Sequence, residues 1–175
     1  VDDHVIEPPS VWLDRLPRKY HDVGPRIERK RVKNLAFNGT TYTFDLADDG
    51  VEADFWVYED LIIPHRRIIA AAGYSVDERT LTPITYDEMR PGCYEQKARL
   101  EDMDVNWVEA SLSFPTFPRF CGQTFLEASD RELASLCVTA YNDWMVEEWS
   151  AGTGGRLIPL TIVPLWDPVA AAAEV

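Results

Sequence analysis

Positive charge is in short supply in this chain. Its 175 residues carry 17 Lys and Arg against 30 Asp and Glu, a formal net charge of -13. A field of that sign repels phosphate backbones, so no nucleic-acid partner is expected. Long apolar runs are missing too. None approaches the ~20 residues of a helical membrane span, so no membrane partner is expected and the chain reads as soluble. Cysteine is sparse, with Cys93, Cys121 and Cys137 far apart and no C-x-x-C pair. That usage suits reduced, mostly buried thiols in a cytoplasmic protein better than a disulfide framework. No phosphate loop is present, because "GTGG" at 152–155 follows a helical pattern and precedes an apolar run, the reverse of the required context. No G-x-S-x-G elbow announces a serine nucleophile.

What is present begins as a strand. Val1–Ile6 is β-branched at Val1, Val5 and Ile6 and closes on Pro8 and Pro9. A long irregular excursion over 10–92 follows. Inside it, Asn38-Gly39 between two strand-like runs signals a hairpin, and "DFWVY" at 54–58 suits a third strand. Pro64 followed by "HRRIIAAAG" predicts a short helix ending at Gly73.

From 93 to 175 the pattern is regular. "CYEQKARLEDMD" predicts a helix with Leu100 and Met103 inward, and "VEASLSF" at 108–114 predicts a strand. Ser129 is expected to open a helix through a capping box with Glu132. Its apolar face runs through Leu133, Leu136, Cys137, Ala140, Tyr141, Trp144, Met145 and Trp149 to the glycines at 152, 154 and 155. "RLIPLTIVPL" predicts a strand buried on both faces, and Pro168 with the following alanines begins another helix. Strands alternating with helices imply βαβ units and a parallel sheet. A complete eight-stranded α/β barrel needs about 250 residues. The expected fold is therefore α/β: the N-terminal portion of a TIM-type (β/α)8 barrel, with about three barrel strands and a hairpin-containing insertion after the first. Val1 already lies in strand-like sequence and the last residues lie in helix-like sequence, so a piece of a longer protein is expected.

The chemistry concentrates in "VDDHVIEPP". Alternate side chains of a strand share a face, so Asp2 and His4 project together and Asp3 points away. A carboxylate and an imidazole on one face can chelate one divalent ion, and both are ordinary ligands of zinc and manganese. The same spacing also fits a histidine hydrogen-bonded to a neighbouring aspartate at a strand end. Glu7 either supports the metal site from behind its ligands or faces water before the prolines. "SFPTFPRF" starts at the C-terminal end of a strand, where barrel enzymes place their active sites. Phe114 there either lines a substrate pocket or packs, and Arg119 either pairs with a substrate carboxylate or lies at the surface. His21 reads as a surface residue, and His65 as a capping or solvent-facing one. Asn142 and Asp143 are expected to cap or bridge structure.

"VDDHVIEPPSVWLDRLPRKY", "RLEDMDV", "FPTFPRFCGQTF" and "AYNDWMVEEWSA…GRLIPLTIVPLWDP" together resemble the amidohydrolase-2 branch of the amidohydrolase superfamily. These are metal-dependent barrel enzymes related to aminocarboxymuconate-semialdehyde decarboxylase. The resemblance runs over nearly the whole chain. It implies that the family's H-x-H, E-x-H or D-x-H metal motif falls on Asp2 and His4. It also implies further metal ligands and a catalytic histidine on strands beyond Val175. The implied activity is metal-assisted hydrolysis or non-oxidative decarboxylation of a small organic substrate, such as an aromatic carboxylic acid. A homo-oligomer of the chain is the expected assembly. The competing reading is a non-catalytic fragment or half-barrel that associates with a partner chain and carries only half a metal site.

Overall fold

The computed structural model describes residues 2–39 and 41–175, with Asp2 described through its backbone alone. In chain order the elements are β1 (Asp2–His4), α1 (Ser10–Leu13), β2 (Arg26–Phe37), β3 (Tyr42–Leu46), β4 (Val51–Tyr58), β5 (Leu61–Pro64), α2 (Gln96–Val105), β6 (Ser111–Phe114), α3 (Gln123–Leu126), α4 (Arg131–Trp144), β7 (Leu157–Ile158) and α5 (Pro168–Glu174). Contacts divide them into two compact units, one of residues 1–24 with 91–175 and one of residues 25–90.

The first unit is built on a parallel sheet in the order β1-β6-β7. Asp2 lies opposite Leu112 and His4 opposite Phe114, while Ser111 lies opposite Leu157 and Leu112 opposite Ile158. Residues paired in a parallel ladder share a face, so His4, Leu112, Phe114 and Ile158 lie on one side. Ser111 and Ser113, on the other side, are fully buried. Trp149 Nε1 donates to Ser113 Oγ at 2.9 Å, which identifies that side as the one covered by the α4 region.

The α4 face runs as its periodicity predicts. Leu133, Cys137, Ala140, Tyr141, Trp144, Met145 and Trp149 are buried, and fully burying one such large side chain contributes roughly 1.5–3 kcal/mol. The helix continues past Trp144 through a wider turn closed by Ser150 N–H on the Met145 carbonyl at 2.9 Å. Residues 10–24, which the sequence pattern joins to the excursion, belong to this unit. Trp12 of α1 is buried, and its Nε1 donates to the Cys137 carbonyl at 3.1 Å. His21 is half-buried rather than at the surface, with Nε2 3.0 Å from the Leu16 carbonyl.

Two expectations change here. The cap of α4 is Asp130, whose carboxylate accepts the Leu133 N–H at 3.0 Å. The helix starts one residue later than expected, so Glu132 stands too early to reach back to the cap and pairs with Lys19 Nζ at 3.2 Å instead. The apolar run after Arg156 forms a ladder only at Leu157–Ile158. Pro159 and Pro164 have no N–H to give a sheet, and the chain between them is held by a side chain. Asn142 Nδ2 donates to the Ile162 carbonyl at 2.8 Å, and its Oδ1 accepts the Ile162 N–H at 3.0 Å. Ile158 and Leu165 stay exposed, so the run is not buried on both faces.

The second unit is an antiparallel sheet in the order β3-β2-β4-β5. The β2–β3 connection carries Asn38-Gly39 as expected, with Gly39 at φ 96°. Val32, Ala53, Phe55 and Val57 form its apolar cluster, with Phe44 against it. Gly50 allows β4 to approach β2, because a Cβ there would meet the Val32 nitrogen at 2.6 Å. The helix expected at 64–73 does not form. Pro64 ends β5 opposite Phe55, and His65 exchanges backbone hydrogen bonds with Asp54 (2.8 Å) and Ile84 (3.0 Å). Only Arg67–Ala70 makes a single 3₁₀ turn.

His65 is therefore neither a cap nor solvent-facing. Its ring is buried beside Tyr86 (centroids 4.9 Å apart) and Trp56 (6.4 Å), and neither ring nitrogen has a hydrogen-bond partner among the described residues. Burial depresses its pKa from 6.5 to about 4 despite the neighbouring Asp54 charge. Asp54 is buried as well. Burial alone would raise its pKa, but the Arg29 guanidinium (2.9 and 3.0 Å) and the Tyr86 N–H (2.9 Å) outweigh that and lower it.

Replacing Asn142 by Leu strands the N–H and C=O of Ile162. Urea unfolding is expected to show a loss of about 2–4 kcal/mol, and an unchanged midpoint would show that Ile162 finds other partners. The His65 shift predicts acid sensitivity with a defined sign. Between pH 6.5 and about 4 the unfolded chain binds a proton that the folded chain refuses, so stability falls with pH across that window, by on the order of 3 kcal/mol in full. Asp54 contributes only below its ordinary 3.8. His65→Phe is expected to remove this loss. Equal pH dependence of the urea midpoint in wild type and variant would refute it.

Candidate metal-binding site

His4 closes β1, and its ring is exposed on the face opposite α4. Its Nδ1 lies 3.1 Å from the carbonyl oxygen of Pro115, the residue that follows β6. A carbonyl can only accept, so this bond requires the proton on Nδ1 and leaves the Nε2 lone pair available in the neutral ring. That is the arrangement of a metal-binding histidine, whose remote nitrogen donates to a carbonyl or carboxylate. Nε2 of His4 could thus serve as one ligand of a divalent ion. Asp2 lies two positions earlier on the same strand, opposite Leu112, and its side chain lies outside the described residues. Among the described residues no group of three or more His, Cys, Asp or Glu could hold a metal ion.

Asp3 points away, as strand alternation requires. Its Oδ2 takes Arg99 Nη1 of α2 at 2.5 Å, and Arg99 Nη2 donates to the His4 carbonyl at 3.2 Å. Arg99 thereby joins the Asp3 side chain and the His4 carbonyl.

Glu7 does not face water. It is fully buried, and its two oxygens accept the N–H groups of Thr116 (2.8 Å) and Phe117 (2.9 Å). Burial pushes its carboxyl up from 4.5 to about 7, against the opposing pull of those two amides. Tyr141 lies close enough to feel that charge. Its buried hydroxyl has no hydrogen-bond partner among the described residues, and its pKa is raised well above 10, first by burial and then by Glu7.

The loop after β6 carries the remaining candidates. Phe114 is half-buried, 5.8 Å from the His4 ring and stacked on Phe120 at 6.0 Å and 18°. Phe120, 62% exposed, extends the aromatic surface that begins at His4, and the sequence reading passed over it. Its signal was present in "FPTFPRF", where an aromatic recurs every third residue. Arg119 is exposed at φ 61°, and its guanidinium pairs with Glu127 at 2.9 Å. The structure thus brings Phe114 to His4, links Glu7 to the same loop, and places the Arg119 charge on a surface carboxylate.

No family model matches the chain, and no curated protein matches it. Among solved structures, an amidohydrolase from Mycobacterium avium subsp. paratuberculosis K-10 superposes on 99% of this chain with a TM-score of 0.60 at 22% sequence identity. The chain spans 44% of that protein's length. The likeness establishes a shared α/β fold with part of an amidohydrolase. No described helix is long and apolar enough to cross a membrane.

Proposed function

We propose that this chain forms part of a metal-dependent enzyme of the amidohydrolase superfamily, with Asp2 and His4 as two ligands of a divalent ion, zinc or manganese. The observation that carries the reading is the Pro115 carbonyl on His4 Nδ1, which presents Nε2 as a ligand at the C-terminal end of a parallel strand. Active sites of α/β barrels gather at that end of the strands. Two further features support it. The partly exposed face bearing His4, Phe114 and Ile158 has the character of a barrel lumen, and the structural neighbour is an amidohydrolase of which this chain covers under half. In a longer protein the remaining ligands would come from strands beyond β7.

The substrate in this reading is a small organic molecule, cleaved by hydrolysis or non-oxidative decarboxylation. A bound divalent ion supplies Lewis acidity for either course, activating water or orienting a substrate carboxylate. The chain's own residues would do the rest. His4 and Asp2 hold the ion and take no proton in the reaction. Phe114 offers an apolar face beside it. Arg119 would serve a substrate carboxylate only by exchanging Glu127 for it, which an exposed ion pair worth about 0–1 kcal/mol permits.

Elemental analysis of the purified protein, without added metal, tests the reading. About one divalent ion per chain is expected wherever the full ligand set is present. Asp2→Ala with His4→Ala should remove both the ion and the activity of the full-length enzyme, and full activity in that double variant would overturn the assignment.

A further inference from the structure

We propose that Glu7 positions His4 for metal binding through the single peptide group joining Pro115 to Thr116. The inference rests on the metal-binding reading of His4. The two side chains grip opposite ends of one peptide. The Thr116 N–H donates to Glu7 Oε1 at 2.8 Å, and the Pro115 carbonyl accepts from His4 Nδ1 at 3.1 Å. A peptide is planar, so fixing the direction of its N–H fixes the direction of its C=O. The Phe117 N–H on Glu7 Oε2 at 2.9 Å holds the next peptide in the same grip, so the loop cannot turn the Pro115 oxygen away from the imidazole.

The charge matters as well as the geometry. A carboxylate at the N–H end polarises the amide and makes its oxygen a stronger acceptor, since hydrogen bonds in a chain strengthen one another by roughly 10–30% each. The proton is thereby held on Nδ1, which leaves the lone pair on Nε2. Carboxylates that orient metal-bound histidines usually touch the ring themselves. Here a backbone peptide stands between them. This accounts for a carboxyl buried at position 7. Two backbone N–H groups require two acceptor oxygens, and a glutamine would turn an NH₂ toward one of them.

The test reads the His4 ring in the metal-free protein, so it does not depend on turnover. Nitrogen-15 NMR at about pH 8.5, where the Glu7 carboxyl is ionised, distinguishes the two tautomers, and a His4→Gln variant assigns the signals. Wild type should show the Nδ1–H tautomer alone. Glu7→Gln should show a mixture, with zinc affinity lowered about 10–100-fold. Glu7→Asp, which keeps the charge but shortens the reach, should fall between them. A pure Nδ1–H tautomer in folded Glu7→Gln overturns the proposal, as does an Nε2–H ring in wild type. If Glu7→Gln does not fold, Glu7→Asp decides, and a tautomer ratio equal to wild type overturns it. A tautomer shift in a protein that binds no zinc even as wild type supports the positioning role and rejects the metal-binding reading instead.

Discussion

A parallel strand of three residues forms too few ladder hydrogen bonds to hold its own register, and the β1–β6 pair depends on being tied from outside. Arg99 supplies one tie, reaching from α2 to the Asp3 carboxylate, the His4 carbonyl and, through Nε, the Gly92 carbonyl. Glu7 supplies the other, gripping the loop that leaves β6. Val5 N–H on the Phe114 carbonyl at 2.9 Å carries the ladder one step past the end of β1. His4 sits between these ties, which is why a side chain at the end of so short an element can have a defined ring orientation. The exposed imidazole is precise because its surroundings are buried.

Three buried titratable groups show how differently such a cost is met. Asp54 has a guanidinium on both oxygens and an amide besides, and these overcome burial and keep it ionised. His65 has buried ring nitrogens with no hydrogen-bond partner among the described residues, so burial wins and the ring stays neutral. Glu7 stands between them. Its amide donors favour the carboxylate but only partly offset full burial, which pushes the carboxyl up to about 7. Neutral amide dipoles are weaker counterparts than a guanidinium, since hydrogen bonds with both partners charged are the stronger kind. The consequences run in opposite directions. His65 weakens its unit as pH falls, whereas Glu7 weakens its own as pH rises from 4.5 towards 7.

The parts of the fold legible in the sequence are those that hydrophobic period and turn chemistry specify locally. The α4 stripe, the Asn38-Gly39 hairpin and the Pro168 helix start all belong to that class, as does the short strand that ends at His4. The parts that escaped depend on a partner distant in sequence. "HRRIIAAAG" has helical composition, but its first residues are held extended by Asp54 and Ile84, 11 and 19 residues away from His65. "RLIPLTIVPL" reads as a buried strand, but Asn142 claims its backbone where the prolines deny it a ladder. For Glu7 the sequence left two readings open, support behind the metal site or contact with water; what it could not name were the partners, backbone amides of residues 116 and 117, which no side-chain pattern announces.

The loop after β6 unites these themes, because one three-residue spacing serves two surfaces. Phe117 turns inward, buried against Trp12 at 5.2 Å and Phe125 at 6.2 Å, and so anchors the loop in the core of its unit. Phe114 and Phe120, three residues to either side, stack on each other beside His4. The inward ring and the Glu7 grip act on the same residue, since Phe117 gives its side chain to the core and its N–H to the carboxylate. Left-handed backbone at Arg119 and Cys121 (φ 61° at both) is then tolerated further along. Such conformations cost of order 1–3 kcal/mol and persist only where their surroundings over-determine them. The over-determination here comes from the buried half of the loop, and what it maintains is the exposed aromatic half facing the histidine.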